Sequence, residues 1–252
     1  MTTADRTSEI NYPSYLALDE LLRLQRPLSQ PEHPDELLFI VVHQASELWF
    51  KVLLHEFDAF IGCLERFETP QALQSIKRIN GLVNIITNQL SALDTLPPQR
   101  FAQFRGYLGQ SSGSQSGQFR AIEAVSGLRD EHFMQTIQAH GEIPAVVQRA
   151  LARPTLQALF QALLTHDGVT IEQLYAEDAH TMLLLLAEEL LEYEQGFARW
   201  RFLHVQLVER IIGPGTSGTG GTLGAKYLAK TVSQRFFPDL WAVRSKVYGA
   251  GS

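Results

Sequence analysis

Residues 171–212 read IEQLYAEDAHTMLLLLAEELLEYEQGFARWRFLHVQLVERII, and the spacing of apolar side chains here decides the fold class. They recur every three or four positions, the repeat of one face of an α-helix, not the strict alternation of a half-buried strand. Thr170 and Gln173 suit a capping box, in which each side chain satisfies the other's backbone N–H. Gly213-Pro214-Gly215 stops the pattern. The stretch is long for one globular helix, so a break is expected near Asp178 to His180.

Two further segments carry the same rhythm. Ile76, Ile79, Val83, Ile86, Leu90 and Leu93 form an apolar seam that ends before Pro97-Pro98, where a helix cannot continue. Leu38, Val41, Ala45, Leu48 and Val52 form a second apolar stripe. Two segments break the pattern. Residues 110–118 are QSSGSQSGQ, and residues 213–224 are GPGTSGTGGTLG, with six glycines in twelve positions. Both are loops. Strand signals are weak, no repeat is visible and no linker divides the chain. The expectation is an all-α helical bundle in one domain spanning 1–252, with long helices and a glycine-rich loop.

Of the 252 residues 45% are apolar and 19% charged, enough for a sizeable core. The net charge of −6, with no basic block, gives no electrostatic reason to bind nucleic acid or an anionic membrane. The longest apolar runs, Leu37–Val42 and Met182–Ala187, are six residues each, too short to span a bilayer. Cys63 is the one cysteine; it excludes an internal disulfide, a thiolate zinc site and a Cys-x-x-Cys-His haem attachment. MTTADRTSEI has no leader pattern, so a cytoplasmic protein is expected.

Several residues stand out for chemistry. His204 lies on the apolar stripe of its helix with Phe197, Trp200, Val208 and Ile211. One reading is a core histidine hydrogen-bonded to a neighbour; the other is an axial haem ligand, for which a neutral imidazole facing an apolar slot is suited. His43 shares a face with Phe39, rotated away from the Leu38–Val41–Ala45–Leu48 stripe. It either lines a pocket or forms a solvated pair with Glu47. Arg105 follows Phe101 by one helical turn, and a guanidinium beside an aromatic ring is a good carboxylate clamp; an ordinary surface arginine is the alternative. The loop at 213–224 follows a helix and lacks a Gly-Lys-Ser/Thr ending, so it is not a nucleotide P-loop; a lid or small anion-binding turn suits it better. His55-Glu56 is not a zinc-protease motif, because Ala59 stands where the second histidine belongs.

In order along the chain these features resemble the tryptophan 2,3-dioxygenase family. The resemblance rests on YPSYLALDELLRLQRPLS from Tyr12, HPDELLFIVVHQASELWFKVLLHE from His33 to Glu56, and FRGYLGQSSGSQSGQFRAIE from Phe104 to Glu123. It closes with RWRFLHVQLVERIIG, SGTGGTLGAKYL from Ser217 to Leu228, and FFPDLWAVR. The middle, about 127–180, carries little of it. The resemblance implies an all-helical homotetramer that binds haem b and uses O₂ as co-substrate. It implies His204 as the axial iron ligand with Trp200 beside the cofactor, and His43 on the opposite side, receiving the indole N–H. Phe39 and Phe101 would wall the indole pocket, Arg105 would pair with the substrate carboxylate, and Thr219 would bind the ammonium and carboxylate end. Tyr12, Tyr15 and Leu16, within an N-terminal segment of about residues 1–30, would reach a neighbouring subunit's site. The implied reaction places both atoms of O₂ across the indole C2–C3 bond of tryptophan, giving N-formylkynurenine.

The chain departs from the family pattern in places. The family's Gly-Phe-Gln-Ser-Leu-Gln is Gly113-Ser114-Gln115-Ser116-Gly117-Gln118 here, two apolar residues fewer. The glycine-rich loop is one residue longer before Thr219, and the middle and overall length are shorter than expected. These changes bear on the substrate pocket and leave His204 untouched. Two other functions are therefore weighed: a haem monooxygenase forming an oxindole from a modified tryptophan such as a β-methylated one, and a haem- or tryptophan-binding protein without turnover.

Overall fold

The structure is a computed structural model and describes residues 10–129, 131–138, 141–176, 178–215 and 225–249. Thr219 and the rest of 216–224 lie outside the described residues. In chain order the α-helices are α1 (Tyr12–Tyr15), α2 (Leu18–Leu21), α3 (Glu36–Glu65), α4 (Thr69–Gln89), α5 (Pro98–Arg105), α6 (Gly117–Ser126), α7 (Glu131–Gln138), α8 (Ala145–Leu151), α9 (Leu156–His166), α10 (Ile171–Ala176), α11 (Thr181–Ile212), α12 (Ala225–Thr231) and α13 (Pro238–Gly249). No strand occurs among the described residues, as the helical periodicity predicts.

The pattern at 171–212 resolves as expected. Thr170 and Gln173 exchange backbone-to-side-chain bonds of 3.0 and 3.1 Å, a short 3₁₀ turn over Asp178–His180 separates α10 from α11, and α11 ends at Gly213, whose φ of 86° favours glycine. The seam from Ile76 to Leu93 is buried throughout, although its last turn tightens into a 3₁₀ segment, Leu90–Thr95, before the two prolines. This seam seats α4 between α3 and α11. Gly196 permits the approach: a Cβ there would lie 2.9 Å from Val83 Cγ1.

The stripe read on α3 is not its core face. Val41, Leu48 and Val52 are exposed at 43%, 51% and 39%, and so is Leu37 at 48%. The core face carries Val42, Phe50, Leu53, Phe57, Phe60, Ile61 and Leu64. α3 is apolar on two faces, and periodicity alone picked the outward one. For the same reason α3 is long and apolar enough to cross a membrane by length and composition alone, although its inner face packs along α4, α6 and α9.

Buried carboxylates fasten the ends of the bundle. Glu194 on α11 accepts from Arg235 Nη1 at 3.0 Å, from the backbone N–H of Phe236 and Phe237 at 2.6 and 2.8 Å, and from Trp241 Nε1 at 2.6 Å. Four donors satisfy a carboxylate that is 1% exposed. They dock the FFPDLW segment against the long helix. Glu36, in the first turn of α3, likewise receives the N–H groups of Leu28 and Ser29 and the Ser29 hydroxyl.

Candidate functional site

α3, α5 and α11 converge on one aromatic cluster. Arg100 on α5 forms a bidentate pair with Asp35 at the start of α3, which fixes where the short α5 lies. Phe39 then meets Phe101 at 5.5 Å between ring centroids and Phe104 at 5.8 Å, while Phe101 and Phe104 meet edge-on at 5.2 Å. Phe101 and Phe104 are buried, Phe39 partly so. Val42, Leu207 and Ile211 complete this second, smaller core, against which Trp200 packs.

His43 stands beside Phe39, with ring centroids 4.2 Å apart. Its Nδ1 lies 2.7 Å from the carbonyl oxygen of Phe39. A carbonyl can only accept, so Nδ1 carries the proton and Nε2 keeps its lone pair. The ring has accessible surface, yet enough protein surrounds it that desolvation lowers its pKa, opposed by the Phe39 bond and by the charge of Glu47. That combination belongs to a side chain lining a cleft. Among the described residues no ion pair joins His43 to Glu47, whose carboxylate accepts from Gln118 Nε2 at 2.8 Å and acts on His43 through its charge alone. Gln118 thereby anchors the end of the 110–118 loop on α3.

His204 projects from α11 beside Trp200, at 5.0 Å between centroids, and Trp200 in turn rests 4.9 Å from Phe119. Burial, and after it the charge of His43, push the His204 pKa down to about 4. Its imidazole is therefore uncharged near neutral pH and offers a lone pair. Among the described residues no hydrogen bond claims its ring nitrogens, so none of these residues satisfies it as a core histidine is satisfied by a neighbour. An ion held by side chains alone needs several ligands, and no group of three His, Cys, Asp or Glu side chains suited to a metal exists among the described residues. A porphyrin iron needs as little as one protein ligand, and this donor fits that requirement.

Arg105 is the last residue of α5, directly after Phe104, and is partly buried. Thus Phe39, His43, Phe101, Trp200 and His204 come from three helices to one region, with Arg105 at the end of the helix that carries Phe101. Tyr12, Tyr15 and Leu16 do not join them: they are exposed at 72%, 76% and 40%, and none makes a ring contact or side-chain bond to the histidines within the chain. The segment after them does run past the site, since Gln25 Nε2 donates to Gln44 Oε1 at 2.6 Å and Gln44 Nε2 to the Leu24 carbonyl at 3.1 Å. Sequence reasoning missed Phe104, which is 0% exposed; its spacing of three from Phe101 was the available signal. A separate cavity of about 610 Å³, between the end of α4 and the outer side of α11, is lined by Asn88, Asp94, Phe202 and Arg210 and excludes both histidines.

The comparisons with known proteins agree with this arrangement. The family model described as tryptophan 2,3-dioxygenase matches residues 2–142 and 151–247, so the match extends into the middle region where motifs are sparse. Relatives named tryptophan 2,3-dioxygenase include one from Herpetosiphon aurantiacus, 42% identical over 94% of this chain and 98% of its own length. Another, from Kineococcus radiotolerans, is 39% identical over 96% and 93%, and one from Bacillus thuringiensis subsp. konkukian is 38% identical over 96% and 95%. The matched stretches of 258, 267 and 267 residues take in only 94%, 96% and 96% of this 252-residue chain, so these relatives carry residues within the match that this chain lacks, and the chain is the shorter one, as expected. The chain belongs to the tryptophan 2,3-dioxygenase family.

Proposed function

We propose that the chain is a haem-dependent dioxygenase that adds both atoms of O₂ across the indole C2–C3 bond of L-tryptophan, giving N-formylkynurenine. One observation carries the reading: His43 on α3 and His204 on α11 lie within electrostatic reach of one another, the first with an oriented acceptor nitrogen, the second with its nitrogens unclaimed among the described residues. His204 would hold the iron of haem b, with Trp200 as its neighbour. When bound, the haem supplies the activation of O₂.

The remaining work falls to the chain's own side chains. Nε2 of His43 accepts the indole N–H and fixes the ring's orientation. Phe39 and Phe101, backed by Phe104, give the indole an apolar wall and exclude water. Arg105 pairs with the carboxylate, distinguishing a free amino acid from plain indole. Thr219 takes part at the ammonium and carboxylate end. The enzyme acts as a homotetramer in which Tyr12, Tyr15 and Leu16 complete a neighbour's site. Two exposed apolar sets support assembly: Leu37, Val41, Leu48 and Val52 on α3, and Met182, Leu185, Phe202 and Leu203 on α11.

The test is mass spectrometry of the product formed from tryptophan under ¹⁸O₂ by reduced, haem-loaded protein. Two labelled oxygen atoms are expected. One labelled atom, with turnover dependent on external reductant, would mark a monooxygenase; haem binding with no product would mark a binding protein.

A further inference from the structure

Behind the aromatic cluster, two arginines and a glutamate link segments far apart in sequence. Glu123 on α6 is 2% exposed and Arg201 on α11 is 3% exposed. Arg120 Nη1 donates to Glu123 Oε2 at 2.5 Å and Arg201 Nη2 donates to Oε1 at 3.1 Å. One carboxylate is thus shared between two guanidinium groups. On one side Arg120 Nε donates to the carbonyl of Ser114, at 3.4 Å, inside the 110–118 loop. On the other, Arg201 Nη1 donates to the carbonyl of Thr231, at 3.2 Å. Thr231 is the last residue of α12, the helix that begins where the glycine-rich loop ends. Phe236 covers the Arg201 guanidinium at 5.2 Å.

As a stability device this cluster is poor. It buries two cations against one anion, and among the described residues Arg201 Nε is buried without a partner. Desolvating charges in this way is often no better than packing apolar residues in the same space. What the cluster does supply is connection, in discrete directional bonds, between α11, the 110–118 loop and the last residue of α12.

We propose that Arg201 is a positioning residue that, through Glu123 and Arg120, couples the 110–118 loop and α12 to the helix bearing His204. Arg120 on Ser114 and Arg201 on Thr231 share the Glu123 carboxylate, so neither segment can shift without disturbing the group that the other depends on. The consequence for substrate binding rests on the proposed function, which puts the amino-acid end of tryptophan at Arg105 and at Thr219, in the segment that leads into α12. The coupling itself does not.

Hydrogen exchange on haem-loaded, substrate-free protein tests the coupling. Arg201→Met is expected to speed amide exchange by about tenfold in both residues 112–118 and α12, with α4 unchanged, and Arg201→Lys to restore part of the protection. Glu123→Gln, close in shape but uncharged, is expected to give the same paired response and serves if Arg201→Met does not accumulate. A response in only one segment, in neither, or equally in α4 overturns the proposal. Steady-state kinetics supply the second arm: KM for tryptophan is expected to rise by about tenfold with kcat within about twofold, recovering in Arg201→Lys. An unchanged KM in a variant with altered exchange also overturns the positioning role. If the unmodified enzyme does not turn over tryptophan, the proposed function fails, and the exchange pattern alone decides the coupling.

Discussion

His43 on α3 and His204 on α11 lie near enough that a proton on one imidazole would oppose a proton on the other. The two cannot both be charged cheaply, so at neutral pH the arrangement favours two neutral imidazoles. A neutral His204 is what iron requires. His204→Ala is expected to abolish stoichiometric haem binding, read as loss of the Soret band in protein made with ample porphyrin. A retained histidine-ligated spectrum would exclude the ligand assignment.

His43 is predicted to matter for the substrate and not for the cofactor. His43→Ala should keep its haem and lose about tenfold in kcat/KM for tryptophan, the scale of one neutral hydrogen bond in an apolar site. 1-Methyltryptophan, which has no indole N–H, gives the sharper comparison. The unmodified enzyme should prefer tryptophan, and the preference should shrink towards unity in His43→Ala. An equal preference in both proteins would remove the Nε2–indole contact from the mechanism.

Arg105 is expected to read the carboxylate. Arg105→Ala should raise KM for tryptophan by about a hundredfold, the size of a charge-assisted, partly desolvated pair, while leaving the handling of plain indole unchanged. Arg105→Lys should recover only part, because an ammonium cannot present the same planar fork. If tryptophan and indole shift together, the clamp is elsewhere.

The parts legible in sequence were those governed by local rules. The Thr170–Gln173 capping box, the break at Asp178–His180 and the stop at Gly213 depend on neighbours along the chain, and each appears as expected. The α3 faces were not legible, because both are apolar and only tertiary packing decides which is buried. His43 and His204 could be picked out singly, but that their rings share one space depends on α4 spacing α3 from α11 and on the Arg100–Asp35 pair fixing α5. The Arg120–Glu123–Arg201 cluster was invisible for the same reason: residues 120 and 201 meet only through the fold.

The contact between α4 and α11 should be sensitive to a single methyl group. Gly196→Ala would set a Cβ 2.9 Å from Val83 Cγ1, and because that branched side chain is buried in a packed seam it has little room to move. A loss of about 1–3 kcal/mol is expected, measured by denaturant unfolding. Val83→Ala in the same protein should recover a good part of it by removing the clashing methyl. Additive losses in the double variant would mean the helices do not touch there.

Glu36 should set an acid limit on the N-terminal segment that runs beside the site. Desolvation raises its pKa, but the N–H groups of Leu28 and Ser29, the Ser29 hydroxyl and nearby His33 outweigh it, and the net shift is downward from 4.5. A carboxylate held below its unfolded value adds stability that is complete above the unfolded pKa and disappears as pH falls through the folded one. The contribution should therefore be flat from neutral pH down to roughly 4.5 and decline below it. Glu36→Gln should melt earlier than the unmodified protein at pH 7, with the gap closing as the pH drops under that point. Protection of the Leu28 and Ser29 amides, which donate directly to this carboxylate, taken relative to their intrinsic exchange at each pH, should fall over the same pH interval in the unmodified protein and be low at every pH in the variant. A melting difference that stays constant across the acid range would show that the lost interaction is packing and not charge.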